Sequence, residues 1–235
     1  MVNSRPWGQT LDPGFIHRED TAGVIPHNSK DEIDATLSEL KTKKDLWARL
    51  DIQARIAILD KILEDLPTVA DQWVELSVQA KETRQNDYAV AEEWAMFAVV
   101  LRNVRLLAKS LRDIQNHGRP RIPGPVTTRP DGQVVAHVFP QSLFDRLMLP
   151  GTTAEVWMKP GLSVDELSDN QAQFYRRGIT TGKVTLVLCA GNASMLVPSD
   201  FLYKLFVEKQ VVVLKLNPVN DYLGPVFEAG FNALV

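Results

Sequence analysis

Two polar residues close apolar runs near the carboxyl end of the sequence. Asn192 follows the run Val184–Ala190 in LCAGNAS, and Lys215 lies at the end of the run Val211–Leu216 in VVVLKLNPVN. Continuous apolar runs of this length predict strands that are buried on both faces of a parallel sheet. Ligands of such sheets bind at the carboxyl ends of the strands. A neutral amide and a fixed positive charge at one sheet edge suit an anionic or polyhydroxylated ligand, such as a nucleotide.

Other residues with potential chemistry are less promising. The one cysteine, Cys189, lies within an apolar run, where desolvation raises the pKa of a thiol, so we expect a small core residue and not a nucleophile. The histidines are scattered, and none has the spacing of a metal site. They are His17, His27, His117 and His137. Acidic residues are spread over helix faces, and we therefore expect no metal site.

Composition is that of an ordinary globular protein, with 45% hydrophobic and 23% charged residues. The net charge of −3 gives no electrostatic reason to expect binding to nucleic acid or to an anionic membrane. No apolar run is long enough to span a bilayer, and the amino terminus lacks the apolar core of a secretory signal. These features favour a cytoplasmic location.

Helix signals dominate the first half of the chain. Ser29 and Glu32 have the spacing of a capping box, which predicts a helix that runs to about Thr42. Asp51 is a suitable cap for the next helix, which carries leucines and isoleucines at helical spacing. Each helix start is thus predicted by a local hydrogen-bonding signal.

A longer helix is predicted from about Asp87 to Gln115. The apolar stripe expected to face the core consists of Tyr88, Ala91, Trp94, Ala98, Leu101, Arg105 and Ala108. We expect Trp94 on this stripe, and Trp73 on the preceding helix, to be core residues.

The sequence divides into four segments with different patterns. Short β-prone runs at Gln133–Pro140 and Ala154–Lys159 lie within a stretch rich in proline and glycine. The last segment alternates strand, helix, strand and helix, which is typical of a parallel sheet with right-handed crossovers. The segments are an irregular arm over 1–28, a helical part over 29–118, a connector with short strands over 119–181, and a first β-α-β-α unit over 182–235. The expected fold class is α/β, with an amino-terminal helical layer on the start of a Rossmann-like parallel sheet.

The stretch Val184–Leu216 resembles the start of the nucleotide-binding domain in NAD(P)-dependent aldehyde dehydrogenases. In that family one strand ends in an asparagine, a helix follows, and the next strand closes in a lysine. The spacing from Asn192 to Lys215 matches this pattern without a gap. The paired helices upstream, from WARLDIQ to the Lys81-Glu82-Thr83 element, are similar to the family's helices. The resemblance covers roughly residues 30–112 and 182–235, and it implies an incomplete aldehyde dehydrogenase fold.

The resemblance implies roles for individual residues. Asn192 would donate its amide to the oxyanion of a thiohemiacetal, where loss of one donor typically costs about 2.7–4 kcal/mol of barrier. Lys215 would bind the ribose hydroxyls on the adenosine half of NAD or NADP. The backbone at Leu188, Cys189 and Ala190 would line the nicotinamide side. The reaction would be oxidation of a small aldehyde to an acid.

The sequence also departs from the family pattern. Ala190 and Gly191 occupy the positions of a proline-tryptophan pair, and Ala193 and Ser194 replace an aromatic residue and a proline. Pro218 stands where the family often has a glutamate that binds the adenosine ribose. Because proline offers no acceptor side chain, this position gives no preference between NAD and NADP. The pattern indicates a divergent member.

Family members are about twice as long, and their nucleophilic cysteine and general-base glutamate lie beyond the last residue of this sequence. We therefore expect the 235-residue chain alone to lack aldehyde-oxidising activity. The strands between Gln133 and Lys159 resemble the family's oligomerisation arm, which implies a homo-oligomer for the full-length enzyme. Two alternatives stay open: a CoA-dependent acyl reductase relative, and a non-catalytic remnant that binds a partner subunit through an unfinished sheet.

Overall fold

The computed structural model describes residues 28–234, so the predicted irregular arm lies outside the described residues apart from Asn28. The described chain forms two compact units. The first is made of the residues up to 108 and those from 178 onward, and the second is Lys109–Arg177. No helix in the described chain is both long enough and apolar enough to cross a membrane.

The amino-terminal part of the chain is helical, as predicted. Its elements are α1 Lys30–Arg49, α2 Ile52–Asp65, a 3-10 turn Leu66–Val69, α3 Ala70–Ala80 and α4 Asp87–His117. The capping box is confirmed, because Glu32 N donates to Ser29 Oγ over 3.2 Å and Ser29 N donates to Glu32 Oε2 over 2.7 Å. The cap of α2 is also confirmed, since Asp51 Oδ1 accepts from Ala54 N at 2.7 Å. Both starts follow from local side-chain chemistry.

Helix α1 extends beyond the predicted end at Thr42. Its last turns carry Trp47, whose ring meets Phe206 edge-on with centroids 5.7 Å apart, and Ala48, which is fully buried. Contacts with residues distant in sequence therefore continue the helix where its own pattern weakens. Tertiary packing supplies most of the stability of protein helices.

The predicted apolar stripe of α4 is wrong except at Ala108, which is fully buried. The other buried residues of the helix were not on the predicted stripe: Glu93, Phe97, Val100, Val104 and Leu111. Tyr88 is 89% exposed and Trp94 is 41% exposed, whereas Trp73 on α3 is fully buried, as expected. Phe97 is drawn inward because its ring packs edge-on against Trp73 with centroids 5.6 Å apart. The largest aromatic side chains on a helix do not by themselves identify its buried face.

A two-stranded parallel sheet lies in the carboxyl-terminal part of the first unit. Strand β4 (Val184–Leu188) pairs with β5 (Val211–Lys215), and Leu188 lies opposite Lys215. The predicted strand-helix-strand-helix order is confirmed. Its helical parts are α8 Leu196–Leu202 with a π-helical turn Tyr203–Val207, then a 3-10 turn Pro218–Leu223, α9 Gly224–Gly230 and a 3-10 turn Asn232–Leu234. The chain is thus a mixed α/β protein with a parallel sheet.

The prediction that both strands are buried on both faces is wrong for β4. Leu186 is 58% exposed and Leu188 is 65% exposed, whereas Val187 between them is buried. Helix α1 packs against both strands, and Val212 of β5 is buried. Alternating burial is typical of a sheet that is covered on one face. We refer to the exposed side that carries Leu186 and Leu188 as the open face.

Gly182 sets the approach of α1 to the start of β4. Its amide donates to Asp45 Oδ1 at 2.7 Å, and a Cβ atom there would lie 2.0 Å from the carbonyl oxygen of Lys44. No side chain fits in that space, so the glycine is required by close backbone approach.

The second unit contains an antiparallel sheet in the order β1-β2-β3. Its strands are β1 Val126–Thr128, β2 Val134–Phe139 and β3 Ala154–Trp157, and its helices are α5 Leu143–Met148, α6 Val164–Asn170 and α7 Gln173–Arg176. The β-prone runs predicted from the sequence coincide with β2 and β3. A small core of Val134, Ala136 and Leu167 holds the sheet and α6 together. The predicted connector therefore contains a compact unit with a core of its own.

Candidate functional site

The two residues singled out in the sequence come to one edge of the parallel sheet. Because β4 and β5 are parallel and Leu188 lies opposite Lys215, both strands end on the same side. The pairing extends one residue further, where Cys189 N donates to Lys215 O over 3.1 Å. Asn192 follows in the loop 190–194, which we call the strand-end loop. The edge formed by this loop and Lys215 is the candidate site.

Two asparagines, of which Asn220 is buried and Asn217 is partly exposed, contact the strand-end loop. Asn220 is 3% exposed and its Nδ2 donates to Ala190 O over 3.1 Å. Gly191 lies against Asn217, because a Cβ atom on the glycine would come within 2.9 Å of the asparagine side chain. Asn217 in turn accepts from Val219 N at 3.1 Å. The loop is therefore fixed by two side chains that the sequence argument did not identify.

A third anchor holds the far end of the strand-end loop. The hydroxyl of Ser194, which is 2% exposed, accepts from Trp73 Nε1 over 3.3 Å. It also lies 3.6 Å from the sulfur of Met96. Buried polar groups with partners of this kind restrict a loop to one conformation. Asn192 is consequently carried on a rigid support.

The side chains at the edge are free to meet a ligand. Asn192 is exposed, and its amide forms no hydrogen bond within the part of the chain that the structure describes. Lys215 is exposed as well, and its Nζ lies 3.4 Å from Leu216 O with no carboxylate paired to it among the described residues. An amide donor and an unpaired ammonium group can bind hydroxyl, carbonyl or phosphate oxygens.

No family model, curated protein or solved structure matches this chain. The resemblance to aldehyde dehydrogenases therefore rests on the residues of the sequence itself.

Cys189 is a core residue, as predicted. It is 7% exposed, and burial, with a further contribution from Asp200, raises the pKa of its thiol to about 11 although Lys215 acts in the opposite direction. Asp221 also raises this pKa. At neutral pH the thiolate is about one part in ten thousand. The thiol therefore lacks the ionisation that a nucleophilic cysteine needs.

Backbone groups expected to line the nicotinamide side are partly engaged. The amide of Cys189 and the carbonyl of Ala190 both have partners within the chain, in Lys215 and Asn220. Leu188 adds a side chain that is 65% exposed at the end of β4. In this stretch, a flat aromatic ring could therefore pack on the exposed side chain of Leu188.

Among residues 28–234, no group of three or more His, Cys, Asp or Glu side chains could hold a metal ion. His137 lies on β2, with Nε2 3.5 Å from Glu155 Oε1. His17 and His27 lie outside the described residues.

The raised pKa of Cys189 leads to a prediction on thiol reactivity. A shift from 9.0 to about 11 is two pH units, so alkylation by iodoacetamide should be about 100-fold slower in the folded chain than in urea at any pH below about 9. The rate should still rise with pH beyond about 9, where the unfolded chain levels off. A folded chain whose rate levels off at or below pH 9 would contradict the buried, protonated thiol.

Proposed function

We propose that the first unit is the nucleotide-binding part of an NAD(P)-dependent oxidoreductase similar to aldehyde dehydrogenases. The observation that carries the proposal is the parallel register, which brings Asn192 and Lys215 to one edge of the sheet. Nucleotides bind at the carboxyl ends of strands in sheets of this type. The substrate would be a small aldehyde, and the location would be the cytoplasm.

The donor set at the edge fits such a cofactor. Lys215 would donate to the ribose hydroxyls and orient the adenosine half, since its ammonium group is not paired with a carboxylate in the described chain. Asn192 would donate to the substrate oxygen as negative charge develops on it, and its rigid loop keeps the donor in place. A bound nicotinamide cofactor supplies the hydride acceptor. We assign no nucleophilic role to Cys189, because its thiol is buried and protonated.

Removal of the Lys215 ammonium group tests the proposal. A hydrogen bond to a charged group contributes about 1.5–3 kcal/mol, so Lys215→Ala should raise the Kd for NAD+ by about 10- to 100-fold in isothermal titration calorimetry. Lys183→Ala is the matched control, since Lys183 is exposed and precedes the opposite end of β4. It should leave the affinity unchanged. Absence of saturable NAD+ and NADP+ binding, or an equal loss in both variants, would remove the assignment.

A second candidate function follows from the open face. The exposed Leu186 and Leu188 favour contact with a partner subunit, because contiguous apolar surface on a sheet face is typical of an interaction site. In that case light scattering should show a mass that grows with concentration, and Leu186→Lys should reduce it. Since Leu186 lies on the side of the sheet away from α1, the substitution leaves the core intact. A chain that stays monomeric at all concentrations counts against this function.

A further inference from the structure

A cavity of about 350 Å³ lies in the first unit, between the second half of α1 and strand β5. Its walls are mostly apolar and come from α1, from α8 and the π-helical turn that follows it, from β5 and from the last 3-10 turn. They include Leu46, Trp47, Phe201, Leu205, Val212, Leu214 and Leu234. It shares no residue with the strand-end loop or Lys215. Its volume is within the range of small-molecule sites, which are mostly apolar with a few polar groups.

Hydrogen bonds join the elements that form the walls of the cavity. Trp47 Nε1 donates to Leu205 O over 3.1 Å, which ties α1 to the π-helical turn. Arg55 is fully buried and its Nη1 donates to the same carbonyl over 3.2 Å. The ring of Trp47 is also packed edge-on against Phe206. A cavity with fixed walls is a preformed site, so a ligand does not have to order it.

The mouth of the cavity has one polar feature. Among the described residues that line it, Lys43 alone carries charge. Its Nζ lies 2.7 Å from Glu39 Oε1, and both side chains are largely exposed, at 63% and 42%. Exposed pairs of this kind contribute little, so a second carboxylate can bind the same ammonium group. Residues 39–49 contain four basic and two acidic side chains, and this local excess of positive charge favours an anionic ligand.

We propose that this cavity binds a small amphiphilic carboxylate, with its apolar tail between α1 and β5 and its head group on Lys43. Leu46 at the mouth is 64% exposed, and the tail would cover its side chain. The site does not depend on the proposed nucleotide function.

Octanoate and octan-1-ol are the probes that separate the tail from the head group. In isothermal titration calorimetry at low salt, octanoate should bind saturably at one site, about 5-fold tighter than octan-1-ol, as expected of one exposed ion pair. Lys43→Met should reduce octanoate affinity to that of the alcohol without changing the affinity of the alcohol. Lys61→Met is the matched control, because Lys61 is a similarly exposed lysine in an i,i+4 ion pair, with Asp65 at 2.6 Å, and does not line the cavity.

Leu46→Trp tests the location of the tail. The larger side chain fills the mouth, so binding of both probes should be lost, and circular dichroism should show an unchanged fold because the position is exposed. Three results would overturn the proposal: no saturable binding of octanoate, equal affinity of octanoate for the Lys43→Met and Lys61→Met variants, or full binding of both probes by a folded Leu46→Trp variant.

Discussion

Replacing Arg55 with alanine should lower the free energy of unfolding by about 3–5 kcal/mol. The side chain is fully buried, and its guanidinium donates to three backbone carbonyls. Two of the contacts are Nε to Leu50 O and Nη1 to Leu205 O, each 3.2 Å long, and the third is from Nη2 to Trp47 O. The arginine thus joins the end of α1, the start of α2 and the π-helical turn that precedes β5.

The cost of this truncation has two sources. Two of the three carbonyls keep another donor, since Leu50 N donates to Trp47 O and Trp47 Nε1 donates to Leu205 O. The carbonyl of Leu50 loses the hydrogen bond that it accepts from Arg55 Nε. An unsatisfied buried acceptor costs about 1–3 kcal/mol. The vacated volume beneath the Trp47 ring, which lies 4.6 Å from the guanidinium carbon, adds a cavity penalty.

Urea denaturation followed by circular dichroism measures the effect. Arg55→Lys should recover part of the loss, since one ammonium group cannot reach three carbonyls in the planar arrangement of a guanidinium. Arg49→Ala is the control for loss of charge alone, because Arg49 is exposed on the same part of the fold and its removal should change stability by less than about 0.5 kcal/mol. If Arg55→Ala and Arg49→Ala unfold at the same urea concentration, the buried arginine is not a structural clamp.

Arg55 also shows why some of the fold was predictable and some was not. Helix starts at Ser29 and Asp51 depend on side chains that bond to amides three residues away, so the sequence itself carries the signal. The Arg55 contact with Leu205 spans 150 positions. No local pattern distinguishes an arginine that is buried in this way from one that is solvated.

Burial of whole faces was the weakest part of the prediction. The apolar run in β4 is equally compatible with a strand covered on two sides and with one covered on a single side. The exposure of Leu186 and Leu188 is decided by which helices pack on the sheet. On α4 the predicted stripe contained Trp94, whereas contact with Trp73 turns the face that contains Phe97 toward the core.

The candidate site was predicted more completely than its supports. Asn192 and Lys215 could be placed at one edge, because parallel strands end on the same side of a sheet. Asn217 had a detectable signal, since an asparagine before a proline is a common helix start. Asn220 had none, because its bond to Ala190 O joins a 3-10 turn to a loop 30 positions earlier in the chain, and the two meet only after folding.

Trp73→Ala should produce the other large loss of stability, about 3–5 kcal/mol, which is typical of truncating a fully buried tryptophan. The indole is the centre of an aromatic cluster, with ring centroids 5.6 Å from Phe97 and 5.0 Å from Phe227, both edge-on. Its Nε1 also donates to Ser194 Oγ, so the substitution removes an anchor of the strand-end loop. Urea denaturation should show a lower midpoint.

Two variants separate the contributions of the Trp73 ring. Trp94→Ala removes the same side chain from a site that is 41% exposed, and it should cost less than about 1 kcal/mol although the sequence pattern assigned both tryptophans to the core. Ser194→Ala removes the hydrogen bond but keeps the aromatic cluster, so it should cost about 1–2 kcal/mol.

Equal losses for Trp73→Ala and Trp94→Ala would mean that α4 presents its predicted stripe to the core. A loss for Ser194→Ala as large as that for Trp73→Ala would instead place most of the energy in the loop anchor. The expected order follows from geometry, since the buried ring contacts α4 and α9 at once while the serine holds one end of a loop.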